Sequence, residues 1–209
     1  KTGTGKTTLL QNILREDIFA GRGVAIIDPH GDLANSTLNL VPKHRTNDVV
    51  VIDLADTAFP IAFNPLQVPV SGDPTLVADG VLSAFARVFA FDESQAPRMM
   101  HIFRNALLTL VEAPDATLLS VQRILVDASY RKTAIARVRN SVVREFWIDE
   151  FGKWDKRFKT EAIASLQNKL GAFLTNEKLQ AILGQPKSRI DLRRIMDEGK
   201  ILVINLSKG

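Results

Sequence analysis

The sequence predicts an α/β protein in which a parallel-sheet core is interrupted by an all-helical domain, and three observations support this. Two short β-branched runs, at residues 24–27 and 49–52, follow a stretch of helical periodicity, as in strands that are buried on both faces of a parallel sheet. From about residue 75 to residue 184 the apolar residues recur at helical spacing alone. The last stretch, 201–206, is again a buried-strand pattern.

The elements can be assigned in order. Leu9, Leu10, Ile13, Leu14 and Ile18 predict a helix that begins at Gly5 or Lys6 and stops near Gly21. The two strands follow, and then a loop rich in proline and glycine runs to residue 74. Amphipathic helices are predicted over 77–89, 102–111, 118–128, 134–147 and 162–174. A short helix over 191–197 precedes the final strand.

The predicted domains are therefore 1–72, the first part of the core; 73–185, the all-helical insertion; and 186–209, the return to the core with a strand over 200–206. The chain has 209 residues, which is enough for one domain with a large insertion. It begins with lysine rather than methionine, and we expect it to be a piece of a longer protein.

Composition excludes several classes of protein. Hydrophobic residues make up 45% and charged residues 24%, which excludes a mainly disordered chain. The absence of cysteine excludes disulfide scaffolds and thiolate metal sites, and it is consistent with a cytoplasmic protein. No apolar run approaches the ~20 residues that span a bilayer. The net charge of +4 is compatible with nucleic acid binding without being diagnostic.

A phosphate-binding loop is the most specific motif. Residues 2–7, T-G-T-G-K-T, fit the last six positions of G-x-x-x-x-G-K-[ST]. Glycines allow successive N–H groups to turn toward phosphates, and the following helix directs its positive end at them. Lys6 is the predicted catalytic residue, reaching the β- and γ-phosphates, and the Thr7 hydroxyl is the predicted ligand of Mg²⁺. The sequence therefore predicts ATP and Mg²⁺ as cofactors; the alternative is a glycine–threonine turn before an ordinary helix.

A GTPase is the first class to test, since Asp28-Pro29-His30-Gly31 fits its D-x-x-G motif. The nearest candidate for the guanine-reading N-K-x-D motif is Asn168-Lys169-Leu170-Gly171, which lacks the aspartate. The short segment between Lys6 and Asp28 also leaves little room for a switch loop. The sequence argues against a GTPase.

A hydrolysing motor needs a strand that ends in an aspartate, usually followed by a glutamate that activates water. Asp28 and Asp53 end apolar runs, but neither is followed by glutamate. Asp149-Glu150 is an aspartate followed by a glutamate, but it lies in a charged helical run. We interpret it as part of a charged helix face. We expect the acidic pair beyond Gly209, and we expect residues 1–209 alone to hydrolyse ATP poorly.

Taken together, residues 2–8, the I-I-D-P-H-G-D stretch at 26–32, Asn64-Pro65-Leu66 and residues 201–209 resemble the HerA/FtsK superfamily of hexameric DNA-pumping ATPases. The chain looks closest to type IV secretion coupling proteins of the TraG/TraD kind, used in conjugation. The helical segment supports the likeness at 98–112, Phe146-Trp147, 168–170 and 184–186. The likeness spans nearly the whole chain, although the phosphate loop is its one specific motif.

The resemblance implies a RecA-like P-loop core, an inserted all-α domain, and a homo-oligomeric ring of six that moves DNA through its pore by ATP hydrolysis. It implies relaxase or secretion-channel partners and a place on the cytoplasmic face of the inner membrane through segments outside this chain. Three alternatives stay open: a HerA-type DNA-end-processing motor beside a nuclease, a P-loop small-molecule kinase, and a non-hydrolysing nucleotide-gated adaptor.

The resemblance also suggests that Asp28 holds a magnesium-bound water or Lys6; the alternative is a carboxylate that caps the following turn. The predicted nucleotide-binding residues are Thr2, Gly3, Thr4, Gly5, Lys6, Thr7, Thr8 and Asp28.

Charge is concentrated in one segment, since residues 121–144 hold six cations against Asp127 alone. This segment is a candidate for contact with DNA phosphates, and helix faces or subunit contacts are the alternative. Trp147 and Trp154 are interpreted as core or interface anchors rather than base-stacking platforms.

Overall fold

The computed structural model describes residues 5–56, 58–90 and 96–207. The chain divides into two compact units, which we call the sheet unit (Lys1–Ile61 with Ile190–Gly209) and the helical unit (Ala62–Arg189). Within the described ranges, no helix combines the length and the apolar character that crossing a bilayer demands.

In chain order the elements are α1 (Lys6–Phe19), β1 (Val24–Asp28), α2 (Asp32–Leu40), a 3-10 turn (Lys43–Asp48), β2 (Val49–Asp53), α3 (Pro74–Val88), α4 (Pro97–Leu110), α5 (Ser120–Val126), α6 (Ala128–Ile135), α7 (Ser141–Glu145), a π-helical turn (Phe146–Glu150), a 3-10 turn (Phe151–Lys153), α8 (Lys156–Leu174), α9 (Glu177–Leu183), α10 (Leu192–Asp197) and β3 (Ile201–Asn205).

The sheet unit contains a three-stranded parallel sheet in the order β1-β3-β2. The last strand of the chain is central, since Val24 of β1 and Val49 of β2 both align with Ile201 of β3. This arrangement confirms the predicted α/β fold class with a parallel sheet, and it is consistent with a RecA-like P-loop core.

One face of this sheet carries the core of the sheet unit. Ile26, Ile201 and Val203 pack there with Ile18 of α1 and Ala34 of α2. Side chains alternate across a strand, so Ile27 lies on the opposite face, where it is 65% exposed. The apolar run of β1 predicted burial on both faces, and that part of the prediction is wrong for Ile27 in this chain.

The helical unit has its own larger core, centred on α4. Ile102, Phe103 and Leu107 of this helix are completely buried, and α4 packs against α3, α5 and α8. Trp147 is buried in the same core, as the sequence predicted. Its Nε1 donates a hydrogen bond of 2.7 Å to the Thr109 hydroxyl of α4. Nine of the 14 residues of α4 are buried.

The helix predicted over 134–147 is interrupted. α6 ends at Ile135 and α7 begins at Ser141, because the Asn140 side chain accepts hydrogen bonds from the N–H groups of Val142 and Val143 and caps a new helix. Likewise Asp127 accepts from Tyr130 and caps α6, which ends the helix predicted over 118–128. Both breaks are made by short polar side chains that the apolar spacing does not reveal.

Asn64, from the Asn64-Pro65-Leu66 motif, connects distant segments of the helical unit by hydrogen bonds. Its buried amide donates to the carbonyl oxygens of Ala116 (2.9 Å) and Pro186 (2.8 Å), and its Oδ1 accepts from the Leu66 N–H. One side chain therefore joins three separate segments of this unit.

Candidate nucleotide-binding site

The first turn of α1 has the backbone arrangement that favours anions at a helix N-terminus. Gly5 precedes the helix in the left-handed region, with φ 71°, a conformation that glycine adopts without steric cost. The first helical hydrogen bond runs from the Leu9 N–H to the Gly5 carbonyl, 2.9 Å, so the N–H groups of Lys6, Thr7 and Thr8 precede it. Among the described residues no side chain caps this end, and its first turn holds no acid. These N–H groups and the helix dipole favour an anion.

The structure places four of the predicted phosphate-loop residues together. Gly5, Lys6, Thr7 and Thr8 form the exposed first turn of α1. The predicted Thr2, Gly3 and Thr4 lie outside the described residues. The roles of the whole loop in nucleotide binding therefore stay predictions, with their geometry known from Gly5 onward.

This turn lies at the carboxyl edge of the sheet. α1 contacts β1 and leads into it through the short turn 20–23, so the two run antiparallel and the start of α1 lies beside the end of β1. The Gln11 amide donates to the Ser36 hydroxyl, 3.0 Å, which holds α1 against α2. In open α/β sheets, ligands bind outside this edge.

Asp28 ends β1 at the same edge and holds the start of α2. Its Oδ1 accepts from the His30 N–H and its Oδ2 from the Ala34 N–H, both at 2.9 Å. Burial raises the pKa of this carboxyl, but the nearby backbone N–H groups of Ala34, His30, Gly31 and Leu33 together outweigh it and lower the pKa. Asp28 is thus an ionised cap of α2, and its contact with Lys6 or a magnesium-bound water stays a prediction.

Sequence reasoning missed Asn205, which stands between the two strand-ending aspartates. Asp28 aligns with Asn205, and Asn205 aligns with Asp53, so one row of three polar side chains crosses the sheet at its carboxyl edge. Asn205 Nδ2 approaches Asp53 Oδ2 at 3.4 Å, and its Oδ1 accepts from the Ser207 N–H at 3.0 Å. The signal that could have revealed Asn205 is its position directly after the apolar run 201–204.

Gly31 shapes this row as well. Its φ is 92°, and a Cβ there would lie 3.2 Å from the Ser207 hydroxyl and 3.3 Å from Asn205 Oδ1. The turn after Asp28 therefore needs glycine both for its conformation and for space.

A second residue that the sequence did not reveal is Arg45, which is buried in the sheet unit. Its guanidinium donates to the carbonyl oxygens of Ile18 (3.0 Å), Arg22 (2.8 Å) and Gly199 (2.7 Å). Its Nε donates to Asp48 at 3.0 Å, and this bond, with that of Lys200, lowers the pKa of Asp48. Arg45 fixes the carboxyl end of α1 and so positions the whole helix, including its first turn.

The acidic pair Asp149-Glu150 belongs to the helical unit. Both side chains are exposed in the π-helical turn. Asp149 pairs with Lys153 at 2.8 Å, and Glu150 lies 3.4 Å from His101. This is the charged helical face that the sequence predicted.

The family model described as "Helicase HerA, central domain" matches residues 1–209, the whole chain. No curated protein and no solved structure matches the chain.

Proposed function

This chain belongs to the HerA helicase central-domain family, and we propose that it is the nucleotide-binding part of an ATP-driven motor that moves DNA. The family membership supports an ATPase of the HerA/FtsK type. The movement of DNA, the ring of six subunits and the cytoplasmic location are parts of the proposal.

The observation that carries the proposal is the first turn of α1. Gly5 turns the chain just before the N–H groups of Lys6, Thr7 and Thr8, and no side chain in the described part of the chain caps them. This turn lies at the edge of the sheet where ligands bind. In the proposed site this turn and residues 2–4 surround the ATP phosphates, Lys6 neutralises charge on the transferred phosphoryl group, and Thr7 holds Mg²⁺. ATP binding and hydrolysis are the chemistry that these residue types support.

Lys6→Ala tests the proposal directly. The variant should weaken binding of a fluorescent ATP analogue to residues 1–209 at least about tenfold, and it should lower ATP turnover by the complete gene product roughly a hundredfold or more, because one such charge contributes about 3 kcal/mol or more to a transition state. Lys43→Ala is the matched control, since Lys43 is also an exposed lysine of the sheet unit. Unchanged binding and turnover in Lys6→Ala would overturn the site.

Two biological settings for the motor follow from different observations. The likeness of residues 2–8, 26–32, 64–66 and 201–209 to TraG/TraD proteins favours a coupling ATPase of conjugation or type IV secretion, with a relaxase and channel proteins as partners. The description of the matching family, which names the HerA helicase, favours a DNA-end-processing motor beside a nuclease as the second candidate.

Deleting the gene in its host separates these settings. A coupling ATPase should be needed for DNA transfer between cells and dispensable for survival of double-strand breaks. An end-processing motor should show the reverse pattern. Complementation with the Lys6→Ala gene should fail in whichever assay shows the defect, because both roles need ATP hydrolysis.

A further inference from the structure

We propose that an exposed cationic corner of the helical unit, formed by α6, the turn after it and α7, binds the phosphate backbone of DNA. The inference rests on the proposed DNA motor and names where that motor contacts its polymer. The cationic corner is the segment 128–144, which contains five cations and no acidic residue.

The structure divides the cations of the longer basic stretch, 121–144, into two groups. Arg123 and Arg131 serve the fold. The Arg131 guanidinium donates to the carbonyl oxygens of Ile124 and Leu125, at 2.8 and 3.1 Å, and lies over the Phe151 ring. Arg123 pairs with Asp127 at 3.3 Å and lies over the Tyr130 ring. Both guanidinium groups already have partners within the chain, so these two residues leave the predicted set.

The remaining four cations are held outward by buried neighbours. Ala134, Val138 and Val143 lie in the core of the helical unit, and the polar residues between them face water. The four exposed cations are Lys132, Arg137, Arg139 and Arg144.

These cations are available to a ligand. In the described ranges Lys132, Arg137 and Arg144 form no ion pair, and the 95%-exposed Arg139 side chain reaches Glu112 only at 3.9 Å. Glu112 instead accepts a hydrogen bond from the Arg139 backbone N–H, 3.1 Å, which fixes the turn before α7. Elsewhere the structure pairs exposed arginines with an acid four residues away, as in Arg157 with Glu161 and Arg194 with Glu198. The cationic corner lacks that internal neutralisation.

A polyanion suits this arrangement better than a protein surface does. Three of the four cations are arginines, and one planar guanidinium group can bind two phosphate oxygens at once. Duplex DNA presents closely spaced phosphates to several such cations at once, and each contact releases counterions. The contacts would carry no base information, as a motor that travels along DNA requires.

The test is a salt titration of DNA binding by residues 1–209. The variant replaces the four exposed cations by glutamine, which supports helices nearly as well as arginine does: Lys132→Gln, Arg137→Gln, Arg139→Gln and Arg144→Gln. The probe is a short labelled duplex, in two unrelated sequences, followed by fluorescence anisotropy. The variant should bind both sequences at least about tenfold more weakly at low salt, and its log–log salt dependence should be flatter by about 0.9 for each lost phosphate contact.

The matched control removes one lysine and three arginines that are each paired with an acid four residues away: Lys153→Gln, Arg157→Gln, Arg193→Gln and Arg194→Gln. It changes net charge by the same amount, so its binding and salt slope should stay close to those of the wild type. Far-UV circular dichroism and the emission of the buried Trp147 report whether each variant is folded.

Each other outcome overturns the inference. Equal losses in the variant and the control would show a response to net charge alone. Unchanged DNA binding together with altered self-association in sedimentation would show that the cationic corner is a subunit interface. A wild-type chain that binds the ATP analogue but no DNA would remove both the corner and the DNA part of the motor proposal, while Lys6-dependent nucleotide binding would stand separately.

Discussion

Two helices of equal length, α1 and α4, are used in opposite ways. Each has 14 residues, but α4 buries nine of them, whereas α1 buries only Ile18. Leu9 and Leu10 of α1 are 61% and 47% exposed. α4 is stabilised by packing along its whole length, as most helices are. α1 is held at its carboxyl end by Arg45, whereas its amino end, where Lys6 and Thr7 lie, is exposed.

The comparison extends to the two units. The helical unit has a large buried apolar core. In the sheet unit the apolar core is small, and two buried charged groups hold the turns of the α1–β1–α2 segment by hydrogen bonds: Arg45 the turn between α1 and β1, and Asp28 the turn between β1 and α2. The stability of the sheet unit should therefore be sensitive to the loss of its buried polar side chains, and the stability of the helical unit to cavities in its core.

The largest expected effect is a cavity in the helical unit. Phe103 is completely buried, and Phe103→Ala should lower the free energy of unfolding by about 3–5 kcal/mol. Both tryptophans lie in this unit, so urea unfolding followed by their emission measures the loss. A change below about 1 kcal/mol would show that α4 is not the centre of the core.

Arg45→Ala is the next in size and tests the polar anchoring of α1. It removes the guanidinium donor from the carbonyl oxygens of Ile18, Arg22 and Gly199, and it should cost about 3 kcal/mol. Amide hydrogen exchange in β1 and β3 measures it within the sheet unit. Arg22→Ala is the control: Arg22 is an exposed arginine paired with Asp17, and its loss should cost less than about 1 kcal/mol.

Asp28→Asn should cost about 1–2 kcal/mol at neutral pH, because it replaces an ionised cap that accepts two backbone hydrogen bonds. The pKa of Asp28 is lowered in the folded state, so its stabilisation is present above the pKa of an unfolded aspartate and is lost as pH falls through the folded pKa. Amide exchange of α2 in both proteins across this acid range measures the difference, which should shrink as pH falls. A difference that grows in acid would contradict the ionised cap.

The smallest expected effect belongs to the exposed side of α1. Leu10→Gln should change the free energy of unfolding by no more than about 0.5 kcal/mol, since the side chain is half exposed and glutamine favours helix. Calorimetry of the variant and the wild type measures this. A loss as large as that of Phe103→Ala would mean that α1 and α4 are not used differently.

The spacing of apolar residues and the phosphate-loop motif predicted the strands and the first helix, because these elements depend on neighbouring residues. The three apolar runs at 24–27, 49–52 and 200–206 are β1, β2 and β3 with small differences at the ends. The start of α1 was predicted at Gly5 or Lys6, and the helix begins at Lys6. These features depend on residues close together in the chain.

Features that depend on distant partners were not predictable. The central place of β3 and the row of Asp28, Asn205 and Asp53 follow from pairing between strands far apart in sequence. Arg45 lies in a short turn with no motif, and its role depends on three carbonyl groups from other segments. Of the cations in 121–144, side-chain contacts alone distinguish Arg131, which serves the fold, from Arg137, which faces water.

The central position of β3 also dictates when this protein can fold during its synthesis. β1 and β2 do not pair with each other, and Asp53 and its neighbour Asn205 are separated by 152 positions in the chain. The first two strands therefore leave the ribosome long before the strand that joins them, whereas the helical unit is complete at Arg189. Through that interval β1 and β2 lack the strand that joins them, and the earliest moment at which the row of Asp28, Asn205 and Asp53 can assemble is the emergence of Asn205.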